Sequence, residues 1–102
     1  DITFWYGRNG MLDSMDYRGM THDLTTYKYD NLLNLVSSHS KWSGSSETQG
    51  DDYVSYKIAK RDRFGNWIKR YKNITKEDRS EGEYHVFLNY EIEYRKIQYR
   101  DE

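Results

Sequence analysis

Three histidines, His22, His39 and His85, are the first residues to test for catalysis or metal ligation. No two stand at a ligand spacing such as His-x-x-x-His, so they read as surface or packing residues. Glu91 and Glu93 sit two apart. On one strand face that places two carboxylates about 7 Å apart, a separation that suggests a glycosidase pair. Such pairs usually come from different strands at a deep cleft, for which a chain this small has little room. The simpler reading is a solvated face that pairs with basic residues. Ser37, Ser38 and His39 are adjacent, but a nucleophilic triad is an arrangement in space rather than in sequence. Trp67, Lys69 and Tyr71 alternate, with Arg63 and Arg70 close by. Aromatics interleaved with bases can stack rings and hold phosphates; the alternative is that Trp67 and Tyr71 are core residues of a strand. Neither a Walker loop nor a Rossmann glycine pattern occurs. Asn73-Ile74-Thr75 is an N-glycosylation sequon, relevant only on a eukaryotic secretory route.

Charge is balanced overall, at −1, but not along the chain. Residues 1–56 carry eight acids and four bases, and residues 77–102 repeat those numbers. Residues 57–76 carry eight bases against Asp62 alone. A basic segment between two acidic ones suits cross-strand charge pairing within one sheet. The functional alternative is a basic patch.

The 102 residues amount to one domain, expected to span 1–102. Ile, Leu, Val and Phe together number only 18, yet 11 Tyr and 3 Trp are present. Disorder by composition needs few aromatics and a large net charge. Here Tyr and Trp replace aliphatic mass, which suits a thin, half-wet sheet. No Cys is present, so disulfides and zinc–thiolate sites are excluded. No Pro and a single Ala, Ala59, favour strand over helix. No apolar run is long enough for a membrane-spanning helix.

The pattern predicts strands over residues 2–6, 11–17, 24–29, 35–42, 53–61, 67–74 and 84–99. Asn9-Gly10 is expected to form a type I′ hairpin turn. Residues 18–23, 30–34 and 62–66 read as turns or loops. Residues 75–83 read as a charged turn, and 43–52 as a flexible Ser/Gly loop. The last strand is long enough to require a bend, with a bulge expected near Lys96. Residues 30–39 also fit a short helix capped by Asp30.

The turns repeat. Lys28-Tyr29-Asp30-Asn31-Leu32-Leu33-Asn34-Leu35-Val36 aligns without gaps to Lys60-Arg61-Asp62-Arg63-Phe64-Gly65-Asn66-Trp67-Ile68, and residues 6–12 form a weaker third copy. Asp ends a strand and bonds the backbone ahead of it, and Gly65 takes a left-handed conformation. Asn9, Gly10, Asp30, Asn34, Asp62, Gly65 and Asn66 are therefore the structural turn residues. Leu33 stands where Gly is expected, at a cost of about 1 kcal/mol if the turn is left-handed there.

This strand–Asp-x-x-Gly-Asn–strand unit resembles the Tyr-Asp (YD, Rhs-type) repeats, and more closely the short exported hairpin-repeat proteins of Bacteroidetes. Matching segments cover roughly half the chain, about positions 26–36, 58–70 and 86–95. The resemblance implies an exported β-repeat protein, periplasmic, cell-surface or secreted, with no assigned activity; a cytoplasmic location is the alternative. Asp13-Ser14-Met15 is similar to the O-glycosylation motif of such exported proteins.

The expectation is an all-β antiparallel meander of about seven strands in consecutive hairpins. It would form a single coiled sheet or a small open barrel or sandwich. Such a sheet must coil or associate through its face or edge to cover its aromatics. The expected role is a non-enzymatic structural or protein- or glycan-binding module, without cofactor or metal. Its binding residues would be Trp67, Lys69, Tyr71, Arg63 and Arg70. The alternatives are a small nucleic-acid-binding β-barrel using the 57–76 hairpin, and a small hydrolase using Glu91 or His85.

Overall fold

The computed structural model describes residues 1–44, 48–80 and 82–100. Seven strands follow one another: β1 (Ile2–Tyr6), β2 (Leu12–Arg18), β3 (His22–Tyr29), β4 (Leu35–Ser43), β5 (Gln49–Arg61), β6 (Trp67–Ser80) and β7 (Glu83–Tyr94). Strand order in the sheet is chain order, and every pair is antiparallel. No helix occurs among the described residues. Strands touch only their neighbours in sequence. The sheet therefore stays open and uncurled, with β1 and β7 as free edges, and measures 55 × 29 × 20 Å. It neither closes into a barrel nor folds into a sandwich.

A single layer has two solvent-facing sides, which explains the composition. Among apolar side chains only Trp67 is buried, at 8% exposure. The guanidinium carbons of Arg70 and Arg95 lie 4.0 and 4.1 Å from its ring centre, and Arg70 also lies 4.0 Å from the Tyr56 ring. Arg95 Nε donates to the Trp67 carbonyl at 2.6 Å. Cation–π stacking and long Arg stems cover here what aliphatic residues cover elsewhere.

The two Asp turns are the same object built twice. The Asp30 amide donates to the Asn34 carbonyl at 2.9 Å and the Leu33 amide to the Asp30 carbonyl at 3.1 Å. Asp62 with Asn66, and Gly65 with Asp62, repeat both bonds at 2.9 and 3.1 Å. Asp30 Oδ1 accepts from the amides of Leu32 and Asn34, and Asp62 Oδ1 from those of Phe64 and Asn66. Leu33 adopts φ 62° where Gly65 adopts 86°. The strain expected of Leu33 is thus present, in the geometry that the alignment implied.

The first turn differs from the type I′ expectation. Only Gly10 has positive φ, at 80°. The Gly7 amide donates to the Met11 carbonyl at 2.9 Å and the Gly10 amide to the Gly7 carbonyl at 3.0 Å. Residues 8–10 therefore form a three-residue loop closed by a left-handed glycine, which is the Asp-turn frame with Gly7 in the Asp position. Asn9 serves as a cap, its Oδ1 accepting from the Met11 amide at 2.9 Å.

Five further expectations are corrected. The loop proposed for 43–52 is mostly strand: β4 runs to Ser43 and β5 starts at Gln49, with residues 45–47 outside the described residues. Gly50 is buried because Trp42 lies over it; an added Cβ would stand 2.5 Å from the indole. The proposed turn at 75–83 is strand to Ser80: Lys76 stands opposite Asp52, and Arg79 bridges Asp51 and Glu77, which face each other in register; Glu81 lies outside the described residues. The loop at 18–23 shrinks to 19–21, closed by the Gly19 amide donating to the Thr21 carbonyl. The last strand ends at Tyr94 rather than bulging near Lys96, because the Arg95 amide turns inward to the Ile68 carbonyl at 3.0 Å. Residues 35–39 are strand, not helix. The register shifts fall instead at Trp5/Tyr6, Lys28/Tyr29 and between Ile58 and Arg61.

Relieving the left-handed side chain at Leu33 tests the repeat directly. Leu33→Gly is expected to raise stability by about 1 kcal/mol, read as an increase in urea midpoint. No increase would show that Leu33 gains compensating contacts in the folded sheet.

Candidate functional site

Registers assign each strand residue to a side. The front carries Lys69, Tyr71, Asn73 and Thr75 of β6 beside Tyr94, Ile92, Tyr90 and Leu88 of β7. The back carries Arg70, Lys72 and Ile74 beside Glu93, Glu91 and Asn89. The expected binding residues therefore separate. Lys69 and Tyr71 share the front. Arg70 is on the back, and the Trp67 ring packs against Arg70 and Arg95 rather than joining them. The register shift opposite Trp67 breaks the alternation that sequence spacing assumed. Arg63 sits in the β5–β6 turn, 4.8 Å over the Phe64 ring.

Part of the basic segment is matched by acids on other strands and turns. Arg70 Nε lies 2.7 Å from Glu93, Lys72 Nζ 4.0 Å from Glu91, and Arg61 3.5 Å from Asp30. Glu91 and Glu93 thus serve as counter-charges on an open face, without a cleft between them.

The front of the β6–β7 ribbon is the most distinctive surface. Alternate β7 residues Tyr84, Val86, Leu88, Tyr90, Ile92 and Tyr94 stand in one row, 46–77% exposed. Tyr71 stacks on Tyr90 with ring centres 5.8 Å apart, and Lys69 Nζ lies 5.7 and 5.6 Å from the Tyr71 and Tyr94 rings. This is a flat aromatic and aliphatic strip with one cation set among three Tyr. Sequence periodicity already placed the even residues of β7 together, although burial rather than exposure is the usual fate of such a row.

Cross-strand pairing also builds two polar clusters that sequence spacing missed. His39 Nε2 lies 2.7 Å from Asp51, whose other oxygen accepts from Arg79. At the same level along the strands but three strands across the sheet, His22 Nε2 lies 2.6 Å from Asp16, which also accepts from Arg18 at 3.1 Å. His39 stacks on Tyr53 at 4.4 Å. The His39–Asp51–Arg79 cluster joins residues remote in sequence, so only knowledge of the register finds it, whereas Asp16, Arg18 and His22 lie within one hairpin. Asp16 and Asp51 are buried, and the carboxylate of each is spent on its own histidine and arginine. Ser38 lies on the side opposite His39, so the Ser-Ser-His run does not converge. His85 pairs with Glu83 at 3.1 Å. No cluster of His, Cys, Asp or Glu suited to a metal occurs among the described residues, and none of their helices could cross a membrane.

The tail after β7 seals the second Asp turn. Tyr99 donates to Asp62 Oδ2 and accepts from Asn66 Nδ2 at 2.7 Å, while its ring lies 4.3 Å from Phe64. No family model, curated protein or solved structure matches the chain.

Four carboxyls are held below their ordinary value. At Asp16 and Asp51 burial acts upward, and the bonds from His22 and Arg18, and from Arg79 and His39, outweigh it. Asp30 is lowered chiefly by the Asn34 amide, and Asp62 chiefly by the Tyr99 hydroxyl. A carboxyl with a depressed folded pKa contributes stability that is present above its unfolded value of 3.8. That contribution is lost as pH falls through the folded value. Urea midpoints should therefore stay level from neutral pH to about pH 5 and fall below about pH 4. Tyr99→Phe should lower the midpoint at neutral pH and make the fall below about pH 4 shallower, because Asp62 then has less stabilisation to lose. An unchanged fall would remove Tyr99 from the account of Asp62.

Proposed function

We propose that the chain is a non-enzymatic, exported or cell-surface β-repeat module that binds protein or glycan through the front of its β6–β7 ribbon. The observation that carries this reading is the row of six exposed apolar residues on β7, continued by Tyr71 and Lys69. A contiguous exposed strip of this kind marks an interaction site more often than it marks nothing. Tyr rings offer rigid area with a polar tip, suited to sugar faces or to another protein's side chains. The export part rests on the resemblance to Bacteroidetes hairpin repeats, supported by the shared hydrogen-bond frame of the turns at Asp30 and Asp62.

The hydrolase alternative has less support. Its polar clusters are satisfied internally and stand on an open sheet rather than in an enclosed cavity. The nucleic-acid alternative loses its barrel, and Arg70 and Lys72 already face Glu93 and Glu91.

Titration against a panel of glycans and cell-surface proteins, with wild type and a Tyr71→Ala/Tyr90→Ala variant, tests the reading. The variant is expected to bind at least about tenfold more weakly, the scale on which buried aromatic contacts act, with unchanged far-UV circular dichroism. Equal binding by the variant would sink the assignment of the site. Tight oligonucleotide binding that falls steeply with salt would replace it with the nucleic-acid reading. Fractionation of cells carrying the natural gene should place the protein outside the cytoplasm.

A further inference from the structure

β7 is a long edge strand with few of the devices that usually blunt one, its charge being confined to glutamates on the back. It has twelve residues, no Pro, no Lys and no register shift against β6. Such an edge presents a full row of unpaired backbone donors and acceptors. Two bonds fix which residues present them. The Arg95 amide points inward, to Ile68, whereas the Tyr90 amide points away from β6 and is met only by the Asn89 side chain at 3.0 Å. Direction alternates along a strand, so the even-numbered residues Tyr84 to Tyr94 carry the outward-facing groups.

We propose that this edge is the interface of a two-fold dimer, β7 pairing antiparallel with β7 of a second copy about a dyad at Asn89. In that register the residue numbers of each facing pair sum to 178. Tyr84 then faces Tyr94, Val86 faces Ile92 and Leu88 faces Tyr90 of the second copy, so the exposed row finds its own complement on the front. On the back, His85 faces Glu93 and Asn89 faces Asn89. With six outward residues on each strand, the ladder supplies about a dozen backbone hydrogen bonds. The two sheets become one, and the interface closes without leaving a β7 edge free.

Charge and side-chain pattern select this arrangement over its neighbours. A slip of two residues one way sets Glu83 against Glu93. A slip the other way leaves Tyr84 beyond the partner strand and loses the His85–Glu93 pair, while Phe87 faces a glutamate in either register. Pairing β7 with β1 of another copy matches twelve residues to five. With fronts kept on one side the pair is parallel, because β1 and β7 run the same way, and it sets the apolar back residues Ile2 and Phe4 against the acid-rich back of β7. The inference stands apart from the proposed ligand, because it uses the backbone edge and needs no third molecule.

The chain has no Cys, so single cysteines report the register. Positions facing each other across a non-hydrogen-bonded pair lie about 4.5 Å apart at Cα, within the span of a disulfide. Asn89→Cys is expected to give a covalent dimer under mild oxidation. Phe87→Cys and Glu91→Cys should each fail alone, since like residues stand about 13 Å apart, yet cross-link when mixed. In sedimentation equilibrium the wild type should weigh twice its 12.4 kDa chain. Leu88→Pro removes an outward amide that β6 does not use, and is expected to be monomeric with unchanged circular dichroism. Leu88→Lys serves if the proline variant does not fold. A wild type monomeric up to about 100 μM, well above the micromolar range of a weak specific complex, would overturn the proposal. So would Asn89→Cys cross-linking no faster than Phe87→Cys, or an open series of oligomers.

Discussion

Everything in this molecule depends on the antiparallel ladder between sequence neighbours. A single open layer has no interior, so hydrophobic burial cannot dominate as it does in a two-layer domain. Backbone pairing supplies regularity, and cross-strand side-chain pairs on each side supply what packing there is. The pairs are correspondingly mixed in character: Arg70 against Glu93, Thr25 against Ser40, His39 against Tyr53, Tyr71 against the diagonal Tyr90. Trp67, wrapped by two guanidinium groups, is the nearest approach to a core.

This constraint explains the composition. Tyr, Arg, Lys and His have apolar bodies and polar ends, so they cover the sheet on one side and meet water on the other. Leu and Ile would serve a thick core but would leave bare apolar surface here. Bare surface also occurs elsewhere, at Ile2, Phe4, Trp5 and Tyr6 of β1 and at Met20, but the front of β7 aligns six such residues in a single row. That alignment sets the row apart from the other exposed residues.

The fold was legible where local chemistry determines it. The alternation of Tyr53–Arg61 and the Asp-x-x-Gly-Asn turn made β5 and its hairpin readable, and the alignment of Leu33 with Gly65 located a left-handed residue. The errors share one cause. Gln49–Asp52 and Thr75–Ser80 look like loop because their residues are polar, yet they are strand because Trp42 covers Gly50 and Arg79 holds Asp51. Those contacts run between neighbouring strands and depend on their register, which local composition does not show. The candidate site was half legible for a similar reason: Lys69 and Tyr71 do share a surface, while the register shift near Arg61 turns Trp67 away from it.

Because each strand meets only the strands before and after it, the average contact spans few residues. Folding can then proceed hairpin by hairpin, with little loop entropy lost at any step. Stability is likewise a sum of neighbouring interfaces, as in linear repeat arrays. The consequence is graded by position. β1, with five residues all exposed and a single partner, forms the end from which the sheet opens. The long β5–β6 pair is the part that persists.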